Sequence, residues 1–508
     1  MTWPSNHLKL ATGTMFTLFF AGRDFAPNLE VGGANIQDFL QGHYVAAMAK
    51  VAEKLAGEPN VVGFDSLNEP NMGMTGWQDL ARGSNFMKQG ESPSWFQSFQ
   101  LGEGIPQIVP YYNPALVPQG ERLLNSNGVR AWKDGHSCVW RQHGVWDLVE
   151  GDGAGAGSGP GSAGSTRKAV LLQKDYFHWR SVAGEDGASS QKVKVDLMND
   201  YFLPFVFKFK EAINAAAAGK DRGGGNLLVF LDRDTDFEDA NADHCPSDSV
   251  IGRSSAEAEG FVWAPHWYDL VPLVTKSFRS WAGVARGGTL PIVFGNSNLV
   301  REYRRQLAEL GRCGASLGGG RGVPTIIGEI GIPFDFNEGA AYESGDFNLQ
   351  ISAMDTTMQA LDAALLSATL WNYSPDNTNA NGDGWNGEDL SIYSPDQADL
   401  HDDIFAGGRA LQAVLRPYSV RCAGTPLEMH FDVISRVFSF KFSHDDEITG
   451  VGTIIFVPFF QYPEPPKVAI SDGRFTFAAD KQTLEYFHDA TQGTLHTLTL
   501  SPALSVPK

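Results

Sequence analysis

Two glutamates each lie at the end of a short apolar segment, a position from which a carboxylate can reach a substrate. Glu69 comes after residues 61–67 with Asn68 before it, and Glu329 comes after residues 325–328. Hydrolysis of a glycosidic bond needs one acid to protonate the departing oxygen and a second carboxylate on the opposite side of the bond. For either glutamate alone, capping of the next helix is an equally good explanation. The pair, in similar surroundings, favours acid and nucleophile chemistry.

The chain before the first glutamate alternates between a helical and a strand-like hydrophobic pattern. From Ile36 to Leu55, apolar residues recur every three or four positions, which predicts a helix that Gly57 and Pro59 end. The apolar residues 61–67 that follow predict a buried strand with a polar end. Helix, short loop and buried strand together form the repeating unit of an α/β fold with a parallel sheet.

The same pattern recurs downstream. The other predicted strands share an apolar run with a polar or aromatic end, and they lie at residues 226–232, 261–264, 325–329 and 368–371. Helices with one apolar face precede the last two strands, at residues 299–310 and 354–365. The ends of the strands are where a (β/α)8 TIM barrel carries its reactive groups. We therefore predict an α/β barrel in which Glu69 and Glu329 end barrel strands four and seven, on opposite sides of one opening.

The hydrophobic pattern changes from helical to strand spacing at about residue 416. Phe438, Phe440 and Phe442 alternate with polar residues, and the turn sequence at 471–473 separates two such runs. Short alternating runs separated by turns predict an antiparallel β-sandwich.

These patterns divide the chain into two predicted domains. Residues 1–415 form a catalytic TIM-barrel domain that contains strands four to eight, and residues 416–508 form a C-terminal β-sandwich domain. Residues 151–165 are rich in Gly and Ser, which predicts a flexible surface insertion in the first domain.

The composition excludes several classes of function. Hydrophobic residues make up 42% and charged residues 19% of the 508 residues, as in an ordinary globular protein. The net charge of −20 leaves no basic surface for a nucleic acid or for anionic lipids. No apolar run reaches the about 18–20 residues needed for a membrane-spanning helix. We therefore predict no nucleic-acid partner and at most a transient contact with a membrane surface.

Four cysteines are scattered without the paired spacing of a disulfide framework or a zinc site. They predict free thiols in a reducing compartment. The first residues lack the basic start, apolar stretch and small-residue cleavage site of a signal peptide. We therefore predict a cytoplasmic protein, peripheral to membranes where it meets a lipid.

Several sequence motifs, in order along nearly the whole chain, resemble one known family. LNEP at residues 67–70, APHWY at 264–268 and GE at 328–329 are similar to glycoside hydrolase family 5. CVWRQHGVW from Cys138 and LWNYSPDN from Leu370 resemble the fungal branch of that family related to endoglycoceramidases. That branch contains glucosylceramidases and steryl-β-glucosidases, and its catalytic domain is a TIM barrel followed by a β-sandwich.

Transferred residue by residue, the resemblance implies that Glu69 is the general acid/base and Glu329 the nucleophile. Asn68 would bind the sugar 2-hydroxyl, and Tyr268, with His266 beside it, would hold the nucleophile through its hydroxyl. The acid needs a raised pKa and the nucleophile a low one, so one should be desolvated and the other surrounded by donors. A hydrogen-bonded structural histidine is the alternative for His266.

The resemblance implies further substrate contacts after the last predicted barrel strand. Trp371 would form the floor under the sugar ring, although a Trp of the core is the alternative. Asn377, Trp385 and Asn386 belong to a loop rich in partners for sugar hydroxyl groups. No metal ion or organic cofactor is implied, because two carboxylates suffice for the reaction.

The chain departs from the family on its N-terminal side. It contains five predicted barrel strands where a complete barrel has eight, and the His-Gln-Asp motif of strand three and the arginine of strand two are absent. Residues 15–22 are a candidate for a sixth strand by their β-favouring composition, whereas the resemblance places them as a buried segment. We therefore predict a barrel that lacks its first two or three strands. Because sheet edges and apolar surface would then be exposed, we expect the 508 residues alone to fold poorly or lack activity.

The sequence thus predicts a retaining β-glucosidase that acts on a glucosylated lipid, with glucosylceramide as the first choice and steryl glucoside as the second. Phe16, Phe19 and Phe20 would either line the lipid groove or, as we favour, belong to the core. The alternative is a non-catalytic carbohydrate- or lipid-binding remnant, which the missing motifs favour and the two glutamates oppose. Release of glucose, of an oligosaccharide or of no product would separate exo action, endo action and the remnant.

Overall fold

The computed structural model describes most of the chain, namely residues 8–84, 88–113, 117–150, 167–183, 189–220, 225–232, 245–284, 292–385, 387–400 and 403–503. The chain divides into two compact units. The first comprises Met1–Trp263 with Ser316–Val323, and the second comprises Ala264–Ala315 with Pro324–Lys508. The low-complexity insertion predicted at 151–165 lies outside the described residues. The predicted domain boundary after residue 415 stays a prediction.

The α-helices of the described residues are Leu10–Phe25 (α1), Ile36–Leu55 (α2), Trp95–Gly102 (α3), Val139–Gln142 (α4), Leu203–Ala217 (α5), Val250–Arg253 (α6), Ser255–Ala258 (α7), Leu270–Thr275 (α8), Asn296–Ser316 (α9), Phe336–Ser344 (α10), Asn348–Ala364 (α11) and Leu411–Val414 (α12). Within the described ranges, no helix has both the length and the apolar character needed to cross a membrane.

The β-strands are Glu30–Val31 (β1), Ala34–Asn35 (β2), Gly63–Asp65 (β3), Gly90–Glu91 (β4), Gln107–Tyr112 (β5), Pro118–Leu124 (β6), Trp146–Glu150 (β7), Arg167–Leu171 (β8), Trp179–Ala183 (β9), Ser190–Lys194 (β10), Leu228–Leu231 (β11), Phe261–Trp263 (β12), Ala282–Val284 (β13), Ile292–Phe294 (β14), Ile326–Ile330 (β15), Ser367–Leu370 (β16), Tyr418–Arg421 (β17), Gly424–Asp432 (β18), Val437–His444 (β19), Thr453–Phe456 (β20), Lys467–Ile470 (β21), Arg474–Ala478 (β22), Thr483–Phe487 (β23) and Leu495–Ser501 (β24).

Three strands of the first unit form a parallel sheet in the order β12-β11-β3. The central strand β11 pairs Val229 with Phe64 on one side and with Phe261 on the other. Val229 and Leu231 of this strand are buried, as expected for a parallel sheet that is covered on its faces. All three strands were predicted from their apolar runs, and the structure confirms them.

The segment at residues 15–22 is helical and lies within α1. Phe16, Phe19 and Phe20 are three and four positions apart, so a helix turns them toward one side. Phe19 and Phe20 are buried, and the rings of Phe19 and Phe205 on α5 meet edge to face with centroids 5.1 Å apart. Of the two alternatives for residues 15–22, the strand does not form and the structure shows the buried segment that the resemblance implies, because tertiary packing of these aromatic rings overrides their preference for strands. The core position favoured for Phe19 and Phe20 is confirmed.

Helix α2 begins and ends where its sequence pattern predicts. Asn35 caps its start, because its side-chain oxygen accepts a hydrogen bond from the backbone N–H of Gln37 at 3.0 Å. The hydroxyl of Tyr44 on this helix donates to the backbone oxygen of Ser66 at 2.8 Å. The helix thereby holds the chain just after β3, close to the first predicted catalytic glutamate.

Strands β15 and β16 of the second unit are parallel and pack on helices α9 and α11. Ile327 and Ile330 of β15 share one apolar cluster with Leu307 of α9 and with Met354 and Leu361 of α11. The two helices therefore bury the faces that their sequence periodicity predicts, and both predicted strands are confirmed. That the strands of the chain belong to a TIM barrel without its first two or three strands stays a prediction.

Two four-stranded antiparallel sheets occupy the C-terminal part of the second unit, in the orders β17-β20-β23-β22 and β18-β19-β24-β21. Both sheets contribute to one buried cluster, with Phe438, Phe440 and Phe442 from β19 and Leu484 and Tyr486 from β23. Alternate residues of a strand face the same side, which brings the three phenylalanines into this core. The change of hydrophobic period near residue 416 thus marks the start of antiparallel structure.

Two cysteines contradict the prediction of free thiols. Cys138 and Cys422 are free, whereas Cys245 and Cys313 are disulfide-bonded. Paired spacing is a feature of small disulfide-rich and metal-binding motifs, so its absence could not exclude disulfide bonding by individual cysteines. The cysteines therefore give no support to the cytoplasmic location, which stays a prediction.

Arg416 links the two parts of the second unit through buried contacts. Its guanidinium forms ion pairs with Asp355 and Asp362 of α11, at N–O distances of 3.2 and 2.8 Å. It also donates to the backbone oxygen of Phe431 on β18 at 3.0 Å. Burial raises the pKa of Asp362 to about 6 despite the neighbouring charge of Arg416. The arginine is thus the group that makes an ionised carboxylate tolerable on the inner face of this helix.

We expect Arg416→Met to lower the free energy of unfolding by about 3–5 kcal/mol, because it leaves two buried carboxylates without their cation. Chemical denaturation followed by tryptophan fluorescence measures this change. Arg421→Met is the matched control, since Arg421 pairs with Glu485 at the surface, where an ion pair contributes about 0–1 kcal/mol. An equal loss in the two variants would refute the special contribution of Arg416.

Candidate active site

Glu329 is the centre of the predicted site in the second unit. It lies on β15, and its Oε2 accepts a hydrogen bond from the hydroxyl of Tyr268 at 2.9 Å. The Nδ1 atom of His266 lies 3.3 Å from the same oxygen, and only 13% of the Glu329 side chain is exposed. Donors that converge on one oxygen stabilise the negative charge of a carboxylate in such a place. The structure therefore brings these three predicted site residues together.

The segment that follows β12 presents alternate side chains to opposite sides, as extended chain does. His266 and Tyr268 face Glu329. Between them, the indole N–H of Trp267 donates to Oε1 of Gln306 on α9 at 3.1 Å. The segment is thus held from two sides, and the helix on one side fixes the side chains that point to the other.

Asp269 fixes the chain immediately after the site tyrosine. Its Oδ1 accepts from the backbone N–H of Val271 at 3.0 Å, which caps α8, and its Oδ2 accepts from the hydroxyl of Tyr303. Burial raises the pKa of Asp269 to about 7. Because Asp269 bonds both the start of α8 and a tyrosine of α9, it fixes the backbone at the end of the segment.

Gly328 permits the close approach of β15 to this segment. One residue further on, the backbone oxygen of Glu329 accepts from the N–H of Trp267 at 2.9 Å. A Cβ atom at position 328 would lie 2.7 Å from the backbone oxygen of Ala264 and 3.1 Å from Cδ2 of His266. Any residue other than glycine would therefore push the segment, and His266 with it, away from the strand.

The other predicted glutamate, Glu69, follows β3 in the first unit. Its backbone N–H donates to Oδ2 of Asp232 at 3.1 Å, and Asp232 is buried directly after β11. Glu69 has a φ of 42°, a left-handed conformation that is uncommon and unfavourable for a residue with a side chain. Asn68 lies just before it and is exposed. The bond to Asp232 therefore stabilises the backbone conformation from which the Glu69 side chain extends.

Trp371 directly follows β16, and its side chain is partly exposed. Its backbone N–H donates to the oxygen of Ile330 at 2.9 Å. A Cβ atom on Gly331 would lie 2.2 Å from the backbone oxygen of Trp371, so only glycine allows the two chains to approach this closely. A partly exposed indole on a fixed backbone could stack under a sugar ring. This role of Trp371 stays a prediction.

Asn377 is buried among structural partners, and its predicted contact with the sugar stays a prediction. Its side-chain N–H donates to Oδ1 of Asp389 at 2.8 Å, and its Oδ1 accepts from Arg409 at 2.8 Å. Arg409 and Asp389 are themselves buried and form an ion pair at 2.7 Å. Additional hydrogen bonds offset the desolvation of a buried ion pair, and Asn377 supplies two of them. At Asn377, the polar side chain stabilises the fold of the loop itself.

The remaining loop residues stay predictions. Trp385 is 58% exposed, and its backbone N–H donates to Oδ1 of Asp383 at 3.0 Å. Asp383 also accepts from the side chain of Asn372 at 3.0 Å, which ties this loop to the residue after Trp371. Asn386 lies outside the described residues.

The C-terminal sheets and the chain as a whole match known proteins. Residues 416–500 match the family described as Glycoside hydrolase family 5 C-terminal domain. A glucosylceramidase of Rhizopus delemar is 32% identical over 96% of this chain and 69% of its own length. The chain belongs to glycoside hydrolase family 5. It is an O-glycosyl hydrolase by family, as its motifs predicted.

Two further proteins to which the chain is similar are steryl glucosidases. An ergosteryl-beta-glucosidase of Saccharomyces cerevisiae is 28% identical over 96% of this chain and 71% of its own length. The crystal structure of Cryptococcus neoformans sterylglucosidase 1 superposes with a TM-score of 0.81 at 26% identity, and the match covers 100% of this chain and 74% of that protein. The predicted relationship to fungal glucosylceramidases and steryl glucosidases is therefore confirmed.

Asp232 and Asp269 are supporting residues that the sequence did not single out as part of the site. Asp232 ends the predicted strand at 226–232, and Asp269 follows the APHWY motif. The available signal was an acid at the end of an apolar run. That signal could not show that one acid accepts from the N–H of Glu69 and the other from a tyrosine on α9, because both partners are distant in sequence.

We expect Asp232→Leu to lower kcat for glycoside hydrolysis by up to about 100-fold with little change in KM, because a shift of about 1 Å in a catalytic group has such an effect. Asp232→Asn keeps an oxygen that accepts from the N–H of Glu69 and should retain most of the activity. Steady-state kinetics on a soluble aryl glucoside measure both variants, and thermal unfolding checks that both fold. Equal losses would contradict a role through the bond to Glu69.

Proposed function

We propose that this chain is a retaining β-glucosidase for glucosylated lipids, with Glu329 as the nucleophile and Glu69 as the acid/base. The observation that carries the proposal is the hydrogen bond from the Tyr268 hydroxyl to the Glu329 carboxylate, with His266 at the same oxygen. A nucleophilic carboxylate must be ionised and held in one orientation. The two donors favour both conditions.

The proposed reaction has two displacement steps. In the first, the Glu329 carboxylate attacks the anomeric carbon while Glu69 donates its proton to the glycosidic oxygen, and the lipid alcohol leaves. In the second, Glu69 takes a proton from water, which attacks the same carbon and breaks its bond to Glu329. Two inversions at one carbon release glucose in the β configuration and restore both side chains.

Asn68 and Trp371 complete the proposed sugar site. The exposed amide of Asn68 adjoins Glu69 and suits the 2-hydroxyl group, whose hydrogen bonds strengthen toward the transition state. The partly exposed ring of Trp371 offers an apolar face to the C–H groups of a sugar ring. The names of the relatives, which specify glucosides, support glucose as the sugar.

The lipid part of the substrate is supported by the relatives and by one surface of the second unit. The relatives are named a glucosylceramidase and an ergosteryl-beta-glucosidase, and ceramide and ergosterol are both large apolar alcohols. In this chain, Trp281, Ile292 and Phe294 around β13 and β14 are each more than half exposed, and the rings of Trp281 and Phe294 stack with centroids 6.5 Å apart. Exposed apolar side chains in such a group favour contact with a lipid surface. We take glucosylceramide as the first substrate to test and steryl glucoside as the second.

We expect Glu329→Gln to lower glucose release by on the order of 10³-fold or more, because an amide cannot act as the nucleophile. Fluorescent glucosylceramide and steryl glucoside serve as substrates, and the 508-residue chain is assayed beside the same reading frame extended upstream. Glu428→Gln is the matched control, since Glu428 is an exposed glutamate on β18 that pairs with Lys441. It should keep full activity.

The stereochemistry and the intermediate decide the mechanism. β-Glucose as the first product, together with covalent labelling of Glu329 by a 2-fluoroglucoside, supports double displacement. α-Glucose as the first product would contradict retention, and an undiminished Glu329→Gln variant would contradict the nucleophile. Hydrolysis of neither lipid by either version of the chain would overturn the proposed substrate class.

We expect Trp281→Ser combined with Phe294→Ser to lower kcat/KM for glucosylceramide in vesicles by at least about tenfold, since burial of each ring is worth about 1.5–3 kcal/mol. Hydrolysis of a water-soluble aryl glucoside should not change. Ile434→Ser is the control, because Ile434 is an exposed apolar residue between β18 and β19. Loss on the soluble substrate, or no loss on vesicles, would argue against a lipid-contacting role.

A further inference from the structure

Three histidines meet at one end of the C-terminal strands. His444 ends β19, His496 lies on the neighbouring β24, and His488 directly follows β23 of the other sheet. Each offers one ring nitrogen to the group, and these nitrogens lie within 4.8 Å of one another. The proposed glucosidase reaction uses none of them, so the group calls for an explanation of its own.

Two of the histidines have carboxylates at the ring nitrogens that face away from the group. His496 Nδ1 lies 2.8 Å from Oδ2 of Asp472, and His444 Nε2 lies 3.0 Å from Oδ1 of Asp446. Their other nitrogens, His444 Nδ1 and His496 Nε2, face each other at 2.9 Å. Carboxylate partners of this kind accompany histidine ligands of metal ions, because they fix the ring and raise its basicity.

Asp472 is firmly held behind His496. Its Oδ1 accepts from the backbone N–H of Asp489 at 2.7 Å, and its Oδ2 accepts from the hydroxyl of Ser471 at 2.6 Å. A fixed negative charge behind the ring favours a cation in front of it.

His488 distinguishes this group from a structural chain of hydrogen bonds. Such a chain needs only His444, His496 and the two carboxylates. His488 nevertheless stacks on His444, with centroids 5.2 Å apart, and lies 4.5 Å from His496 by the same measure. Its Nδ1 is buried and, among the described residues, has no hydrogen-bond partner.

We propose that His444, His488 and His496 bind one divalent transition-metal ion, with zinc as the first candidate. Neutral imidazole is a ligand that zinc, copper and nickel accept. Zinc–nitrogen bonds of about 2.0–2.1 Å in a tetrahedron place the nitrogens about 3.3 Å apart, a value between the observed 2.9 Å and the 4.8 Å limit. Three histidines leave the fourth position to water.

The ion would take the place of the proton between two rings. Two lone pairs facing each other at 2.9 Å repel, so one proton lies between His444 Nδ1 and His496 Nε2 when no metal is bound. Metal binding displaces that proton. Because His488 directly follows a strand of one sheet and the other two histidines lie on strands of its partner, the ion would join the two sheets.

The test is zinc titration of the chelator-treated full chain, and it does not depend on glucosidase activity. Calorimetry should show that one ion binds per chain and that protons are released. Zinc should raise the midpoint temperature of thermal unfolding by several degrees. Co²⁺ in place of zinc should give the visible absorption of a tetrahedral site. We expect His488→Ala to weaken binding by more than about 100-fold and Asp472→Asn by about 10- to 100-fold. His430→Ala, at an exposed histidine on β18, should bind as the unmodified chain does.

Two results would overturn the proposal. One is the absence of saturable binding at micromolar zinc by the unmodified chain. The other is a His488→Ala variant that binds zinc as tightly as the unmodified chain. Circular dichroism without metal checks that His488→Ala is folded, and His488→Gln, which keeps a polar side chain, replaces it if it is not.

Discussion

The arrangement around Glu329 depends on how closely the chain after β12 can approach β15. Backbone hydrogen bonds between the two segments, with no side chain on Gly328 to separate them, set this distance. His266 and Tyr268 reach the carboxylate because their backbone is already in contact with the strand that carries it. The residues around Glu329 are therefore positioned by hydrogen-bonded backbone, which has less conformational freedom than long side chains have.

Acids that take no part in the proposed reaction hold the residues that do. Asp232 accepts from the N–H of Glu69, and Asp269 fixes the chain beyond Tyr268. Asp389 forms a buried ion pair that holds the loop following Trp371. These three carboxylates thus serve to fix the conformation of the chain around the site, and only the two glutamates are proposed for the hydrolysis.

The sequence could predict what hydrophobic periodicity determines. The helix Ile36–Leu55 and the five strands follow from such patterns, and the family motifs identified Glu329 with its partners. Residues 15–22 were harder, because their aromatic composition suits a strand while their spacing packs as a helix. The burial of Asn377 and the bond made by Asp232 could not be predicted, since both depend on partners that only the folded chain brings near. The group of three histidines could not be predicted for the same reason, because its members lie at the ends of three different strands.

The contacts of Arg416 imply that the C-terminal sheets are not an interchangeable module. The sequence boundary falls directly before this residue, yet its charge compensates two acids within α11 on the other side. Exchange of the C-terminal domain between relatives would therefore succeed only if the incoming domain carries a cation at this point. A substitution in α11 and one at the first residue of the predicted C-terminal domain would therefore not be independent in their effect on stability, although the two belong to different predicted domains.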